Sequence, residues 1–250
     1  MKRKYEITVL SKGAFARTLR IYSPKKATHA LIMHDGQNCF YDEDASYKKS
    51  WRMLDALKSL NLKNTAIVGI DSVDATRGDD YLPFPTEISL EGIAQMGGKA
   101  DAYCEFITET VLPYLDKRFG YKTYGMLGSS AGAAITLYYA TKNNCKFKAY
   151  GMFSTPLFVA PNGFSKLLED CSLDTTAMYR VYVGGSETAE AGEYTNLVPN
   201  LYVDDAHTLI KALRAKGVSD LRFRFENKNV HDETSWRAPA VEFLKDFSEK

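Results

Sequence analysis

The chain reads as a single α/β domain: one mostly parallel sheet of eight strands with helices on both faces. Short apolar runs of strand length alternate with helix-period segments along most of the 250 residues. Such alternation arises from strand–helix–strand crossovers, which cover both faces of a sheet. A second observation is the absence of any internal repeat, low-complexity tract or linker, so residues 1–250 form one unit. The third is Gly128-Ser129-Ser130-Ala131-Gly132, a glycine-flanked serine between a strand-like run and an apolar helical one.

In chain order, alternating strands at Tyr5–Leu10 and Thr18–Tyr22 form a hairpin around Lys12-Gly13. Ala30–Met33 is a short apolar strand ending in His34-Asp35-Gly36, Trp51–Leu60 a helix and Ala66–Ile70 a buried strand. A long helix from about Lys99 to Arg118 contains Pro113, which predicts a kink or a break. Further strands fall at Thr123–Leu127, Ala149–Phe153, Arg180–Val183 and Leu221–Phe225, with helices at Ala133–Ala140, His207–Lys216 and Ala238–Phe247. Two long loops break the rhythm, Asp71–Gly98 and Ser154–Ala177, the latter with a short helical piece at Phe164–Glu169. Both leave carboxyl ends of strands, where open α/β sheets bind ligands. No large lid is expected, and the loops Asp71–Gly98 and Thr188–Val203 should decide specificity.

Composition excludes several classes. A net charge of +1 offers no basic face for nucleic acid. No apolar run approaches the roughly 20 residues that span a bilayer, and the basic start, Met1–Glu6, has no apolar stretch after it. Cys39, Cys104, Cys145 and Cys171 lack C-x-x-C spacing, so neither zinc nor a disulfide framework is indicated. The expectation is a cytoplasmic protein without metal or cofactor, acting on a small molecule, with neither nucleic acid nor membrane as partner. A homo-oligomer is compatible with it.

The glycine-flanked serine has the form G-x-S-x-G, the pattern of a nucleophile elbow. A turn so tight forces its serine into a strained conformation and tolerates only small neighbours. It also lifts the hydroxyl above the sheet edge and leaves the next N–H free at a helix N-terminus. Ser130 is the candidate nucleophile and the Ala131 N–H a candidate oxyanion donor. The base must be a histidine. His29 lies at the amino edge of the sheet and His207 at the start of a surface helix; His34 lies at the correct edge and is the second choice. His231, after the last strand, fits the chain order serine, acid, histidine. Glu187, in a glycine turn after Arg180–Val183, is the candidate acid. Asp204 and Asp205 read as N-cap residues, and Asp174 precedes its strand. The second oxyanion donor falls to Gln37, although His-Asp-Gly equally reads as an ordinary β-turn. Asp35 and Asn38 could brace that loop by side-chain-to-backbone hydrogen bonds.

These segments resemble the putative esterase family, the esterase D-like branch of the α/β hydrolases. The likeness is carried by His34-Asp-Gly-Gln-Asn-Cys-Phe40, Val68-Gly-Ile-Asp71 with Arg77 and Tyr81-Leu-Pro83, Gly128–Gly132, and His231-Asp-Glu-Thr-Ser-Trp236. It implies an α/β hydrolase fold and a serine carboxylesterase that uses no metal, with Ser130, His231 and Glu187 as its triad. Arg77, Tyr81, Asn38 and Trp236 become the expected substrate contacts, with Arg77 either binding an anionic group or pairing with Asp79 or Asp80. Short-chain, sugar-acyl, aryl and siderophore-type esters all fit. Acyl transfer to an alcohol on the same scaffold, or a silent ligand-binding homologue, are the alternatives.

Overall fold

The computed structural model describes residues 4–88, 95–187 and 201–250. Its strands are β1 (Glu6–Lys12), β2 (Phe15–Tyr22), β3 (His29–His34), β4 (Thr65–Ile70), β5 (Thr123–Ser129), β6 (Phe147–Phe153), β7 (Met178–Gly184) and β8 (Asp220–Glu226). They form one sheet in the order β1-β2-β4-β3-β5-β6-β7-β8. The β1–β2 and β2–β4 pairs are antiparallel, and every other pair is parallel. The helices are α1 (Met53–Ser59), α2 (Arg77–Tyr81), α3 (Ala100–Phe106), α4 (Leu112–Phe119), α5 (Ala131–Ala140), α6 (Pro161–Asp170), α7 (Leu201–Ala215) and α8 (Glu233–Phe247).

Strand alternation sorts the core into two layers. Ile32, Val68, Met126, Met152 and Val181 face one side, packed with side chains of α3 to α7. Leu31, Met33, Ile67, Leu127 and Phe153 face the other, against α1 and α8. With both faces covered, the central parallel strands are apolar on either side, and β4 is buried at every position.

Several elements depart from the sequence reading. Pro113 does not break its helix: α3 runs on through a wide π turn, Ile107–Val111, into α4. The wider turn accommodates a residue that cannot donate to the ladder. The last helix begins at Glu233, one turn before the expected Ala238, and so contains Pro239. The Ser235 carbonyl, which Pro239 cannot serve, receives Asn229 Nδ2 at 3.5 Å instead. The segment after β4 contains α2, a helix too short to show a periodic pattern.

Helix α2 is tied to the sheet by a buried ion pair. The Arg17 guanidinium on β2 meets the Asp80 carboxylate, and both residues are under 10% exposed, at 7% and 5%. Thr76 Oγ1 donates to the same carboxylate at 2.8 Å, and Arg17 Nη1 donates to the Ala16 carbonyl at 2.6 Å. Removing one partner strands the other charge in a dry site. Asp80→Ala should therefore lower the urea-unfolding free energy by about 3–5 kcal/mol. The paired replacement Arg17→Met with Asp80→Leu should recover most of that loss.

Candidate active site

The site lies along the carboxyl ends of the parallel strands, where each strand hands over to a short, sterically constrained turn. At the end of β5, Ser130 has φ 54° and ψ −131°, outside the basins that L-residues favour. Close packing holds it there. A Cβ on Gly128 would lie 2.1 Å from the Gly132 carbonyl oxygen and 2.9 Å from His34 Cδ2. A Cβ on Gly132 would approach His34 Cβ at 3.3 Å. The Ser130 N–H is spent on the Phe153 carbonyl at 2.9 Å, and the Ser130 carbonyl accepts from Ala133 and Ala134. Ser154, ending β6, and Asp35, ending β3, also have positive φ, each 52°.

The turn after β3 continues as a 3-10 turn, Gly36–Asn38. Gly36 is required by close approach, because a Cβ there would lie 2.5 Å from the backbone carbon of Gly69. The Gln37 side chain spans to the end of β4: its Nε2 donates to Ser72 Oγ at 2.8 Å, and its Oε1 accepts from the Ser72 N–H at 3.1 Å. Asn38 braces the loop as expected, its Oδ1 accepting from the Ser46 N–H at 3.0 Å, while its Nδ2 donates to Glu233 Oε1 at 2.8 Å. Among the described residues, no backbone carbonyl accepts from the N–H of Gln37 or of Ala131.

The turns after β7 and β8 are stitched to one another. The Gly185 N–H donates to the Glu226 carbonyl and the Ser186 N–H to the Asn229 carbonyl. This brings Glu187 under His231, with His231 Nδ1 2.6 Å from Glu187 Oε2. The carboxylate, an acceptor, sets the tautomer: Nδ1 carries the proton and Nε2 is left for the cavity. Glu187 Oε1 accepts from Ser154 Oγ at 2.7 Å and from the Gly184 N–H at 2.5 Å. Ser154 Oγ in turn accepts from Trp236 Nε1 at 3.0 Å. Glu187 is thus buried with its oxygens occupied, as a buried carboxylate requires. The Trp236 ring stands edge-on to His231, with centroids 5.0 Å apart.

Ser130 and His231 line one cavity of about 570 Å³. Its walls include Asp35, Gln37, Asn38, Arg77, Glu233 and Trp236. Both cations on the wall meet carboxylates: Arg77 grips Asp35 with two bonds of 2.7 and 2.8 Å, and Lys49 reaches Asp232 at 2.9 Å. Burial opposes charge on Asp35, but the Arg77 guanidinium prevails and holds its carboxyl below the ordinary range. Burial raises Glu233, and the neighbouring Asp35 and Asp232 carboxylates add to the effect. A larger apolar groove of about 690 Å³ lies between α6 and α7, but neither Ser130 nor His231 lines it. Among the described residues, no group of three or more His, Cys, Asp or Glu side chains is arranged to hold a metal ion.

Several sequence expectations need correcting. Arg77 pairs with Asp35, whereas Asp79 binds Lys99 and Asp80 binds Arg17. Asp35 consequently braces its loop through that ion pair and not by a bond to backbone. Tyr81 is not on the cavity wall: it is 1% exposed, and its hydroxyl accepts from the Asp35 N–H at 3.1 Å. It supports the loop from beneath. His34, the second choice as base, is buried with Nδ1 2.9 Å from the Tyr103 hydroxyl, and burial drives its pKa down to about 3. His207, Asp204 and Asp205 lie inside α7, which begins at Leu201, and not before it. Asp205 Oδ2 accepts from the Phe158 N–H at 2.7 Å, and burial pushes its carboxyl up to about 6. Of the two loops expected to set specificity, residues 89–94 and 188–200 lie outside the described residues.

Tyr202 is the neighbour that sequence reading missed. Its ring centroid is 4.7 Å from that of His231, and its phenol lies beside the Ser130 side chain. A tyrosine within a helical run carries no local mark of such a position.

The fold is of the α/β hydrolase type, and the family to which the chain belongs is one of esterases. The profile of the family described as "Putative esterase" matches residues 16–242, and the chain belongs to that family. No curated protein sequence matches it significantly. Among solved structures, the siderophore hydrolase EstA from Aspergillus nidulans is 18% identical, covering 99% of this chain and 95% of its own, with a TM-score of 0.75. An IroE-like serine hydrolase from Shewanella oneidensis is 17% identical over 97% of this chain and 79% of its own, with a TM-score of 0.76. A ferulic acid esterase is 16% identical over 98% of both chains, with a TM-score of 0.68. Among the described residues, no helix is long and apolar enough to cross a membrane.

The loop carrying His231 is anchored by the cap of α8. Asp232 accepts from the Ser235 N–H at 2.9 Å, from Thr234 Oγ1 at 2.6 Å and from Lys49 Nζ at 2.9 Å. Burial works against its charge, but these donors bring its carboxyl from 3.8 down to about 2. A lowered folded-state pKa means stability that is present above 3.8 and lost as pH falls to about 2. Asp232→Ala should cost about 1 kcal/mol at neutral pH by chemical denaturation. Over that acid window, its stability should fall less than that of the wild type.

Proposed function

We propose that the chain is a serine carboxylesterase in which Ser130 is the nucleophile, His231 the base and Glu187 the group that orients it. The observation that carries this reading is the strained Ser130 facing the cavity that His231 lines, with Glu187 bonded to the opposite nitrogen of the imidazole. With the Ser130 hydroxyl turned onto His231 Nε2, the two make the attacking pair. Oγ then adds to the acyl carbon as Nε2 takes its proton, and Glu187 stabilises the imidazolium. The N–H groups of Ala131 and Gln37, which serve no backbone carbonyl among the described residues, receive the oxyanion. Each such donor is worth roughly 3 kcal/mol of barrier. His231 next protonates the leaving alcohol, and water repeats the sequence to release the acid.

The walls support a polar, compact substrate. Hydroxyl, amide and carboxylate groups from Ser46, Ser72, Gln37, Asn38 and Glu233 face the cavity, and its two cations already meet carboxylates. Hydroxyl-rich or otherwise polar esters with a short acyl chain match those walls better than a lipid chain does.

The test is a ladder of p-nitrophenyl esters from acetate to decanoate. Turnover should be highest at the short end. Ser130→Ala and His231→Ala should each lower kcat by about 10³-fold or more, and Glu187→Gln by roughly 10²- to 10⁴-fold. Full turnover by Ser130→Ala would refute the assignment.

A further inference from the structure

Tyr202 is the polar group at the nucleophile for which the scheme above has no use. Its position is well defined by packing: besides lying against His231, its ring stands edge-on to Phe158, with centroids 5.0 Å apart at 88°. Its hydroxyl lies beside the Ser130 side chain. Burial, helped by the negative charge of Glu187, pushes the phenol up to about 12, so it remains a protonated donor at neutral pH.

The geometry of acyl transfer says what such a donor can reach. The acyl carbon, once tetrahedral, bears Ser130 Oγ, the oxyanion, the rest of the acyl group and the leaving oxygen. The oxyanion turns toward the N–H groups of Ala131 and Gln37. The leaving oxygen must turn toward His231, whose proton it receives. Tyr202 flanks the His231 ring and its phenol lies beside the Ser130 side chain, which places its hydroxyl on the imidazole side of Ser130.

Building on the serine assignment, we propose that the Tyr202 hydroxyl donates a hydrogen bond to the leaving oxygen as the tetrahedral intermediate collapses. In that step the bond between the acyl carbon and the leaving oxygen breaks, and its electron pair goes to the oxygen. His231 Nε2 delivers the proton taken from Ser130. Tyr202 keeps its own proton and only stabilises the negative charge that develops before the transfer is complete. In the second half-reaction, water occupies the same place and is oriented by the same hydroxyl.

The substrate class follows. Assistance matters most for esters of ordinary alcohols, whose alkoxides are poor leaving groups, and least for activated aryl esters, whose phenolates depart unaided. The experiment compares wild type and Tyr202→Phe on an alkyl and a p-nitrophenyl ester of one acid, the acid being the best of the ladder above. The measured quantity is kcat/KM, which reports acylation. Tyr202→Phe keeps the ring against His231 and Phe158, and its thermal unfolding is recorded beside the wild type.

The alkyl ester should lose about 10- to 100-fold, the worth of a hydrogen bond to a charged group, and the aryl ester less than about threefold. Equal losses on both esters would mean that Tyr202 only packs the site and would overturn the proposal. So would an unchanged alkyl rate, or a wild type that hydrolyses aryl esters alone. Ser130→Ala, run on the same pair, separates the two levels: activity surviving there refutes the serine assignment, whatever Tyr202→Phe does.

Discussion

The site depends on one steric constraint, the contact between the end of β5 and the start of α5. Gly128 and Gly132 approach so closely that a single Cβ on Gly128 would overlap the Gly132 carbonyl. That closeness drives Ser130 to φ 54°, which points its side chain off the sheet edge and starts a helix immediately behind it. His34 lies beneath the turn as packing: its imidazole fills the space that a side chain at Gly128 would need. Backbone strain here is sustained by the surrounding core, since α5 is buried almost throughout its length.

Around that turn, the polar groups form a connected and largely satisfied network. Trp236 donates to Ser154, Ser154 to Glu187, and Glu187 holds His231. A buried carboxylate tolerates this environment because several donors replace the water it has lost. On the opposite wall, Arg77, Asp35 and Tyr81 form a second cluster that fixes the loop bearing Gln37. Asn38 and Glu233 join that loop to the helix following His231. The loop bearing Gln37 and the loop bearing His231 are therefore held in register by side chains, although Asn38 and Glu233 lie 195 residues apart in the chain.

Much of this could be read from residue order because the informative signals are local. Glycines two positions either side of a serine, between a strand and a helix, state a turn geometry by themselves. Chain order points to Glu187 and His231, and the structure brings His231 to the cavity that Ser130 lines, with Glu187 bonded behind it. Signals were lost where a residue's role depends on a distant partner. Arg77 has Asp79 and Asp80 nearby in sequence, yet it pairs with Asp35 across the sheet edge. Tyr81 matches a family segment but lies under the loop, since its hydroxyl is captured by the Asp35 N–H.

The sequence by itself determined the layered α/β fold, the elbow and the family, because hydrophobic period and glycine spacing act over a few residues. Tertiary structure alone decided which charges cancel, which histidine is buried beyond use, and that Tyr202 packs against His231. These are properties of side chains meeting from separate strands and helices. Their distances follow from how the sheet stacks and twists, which no local pattern encodes.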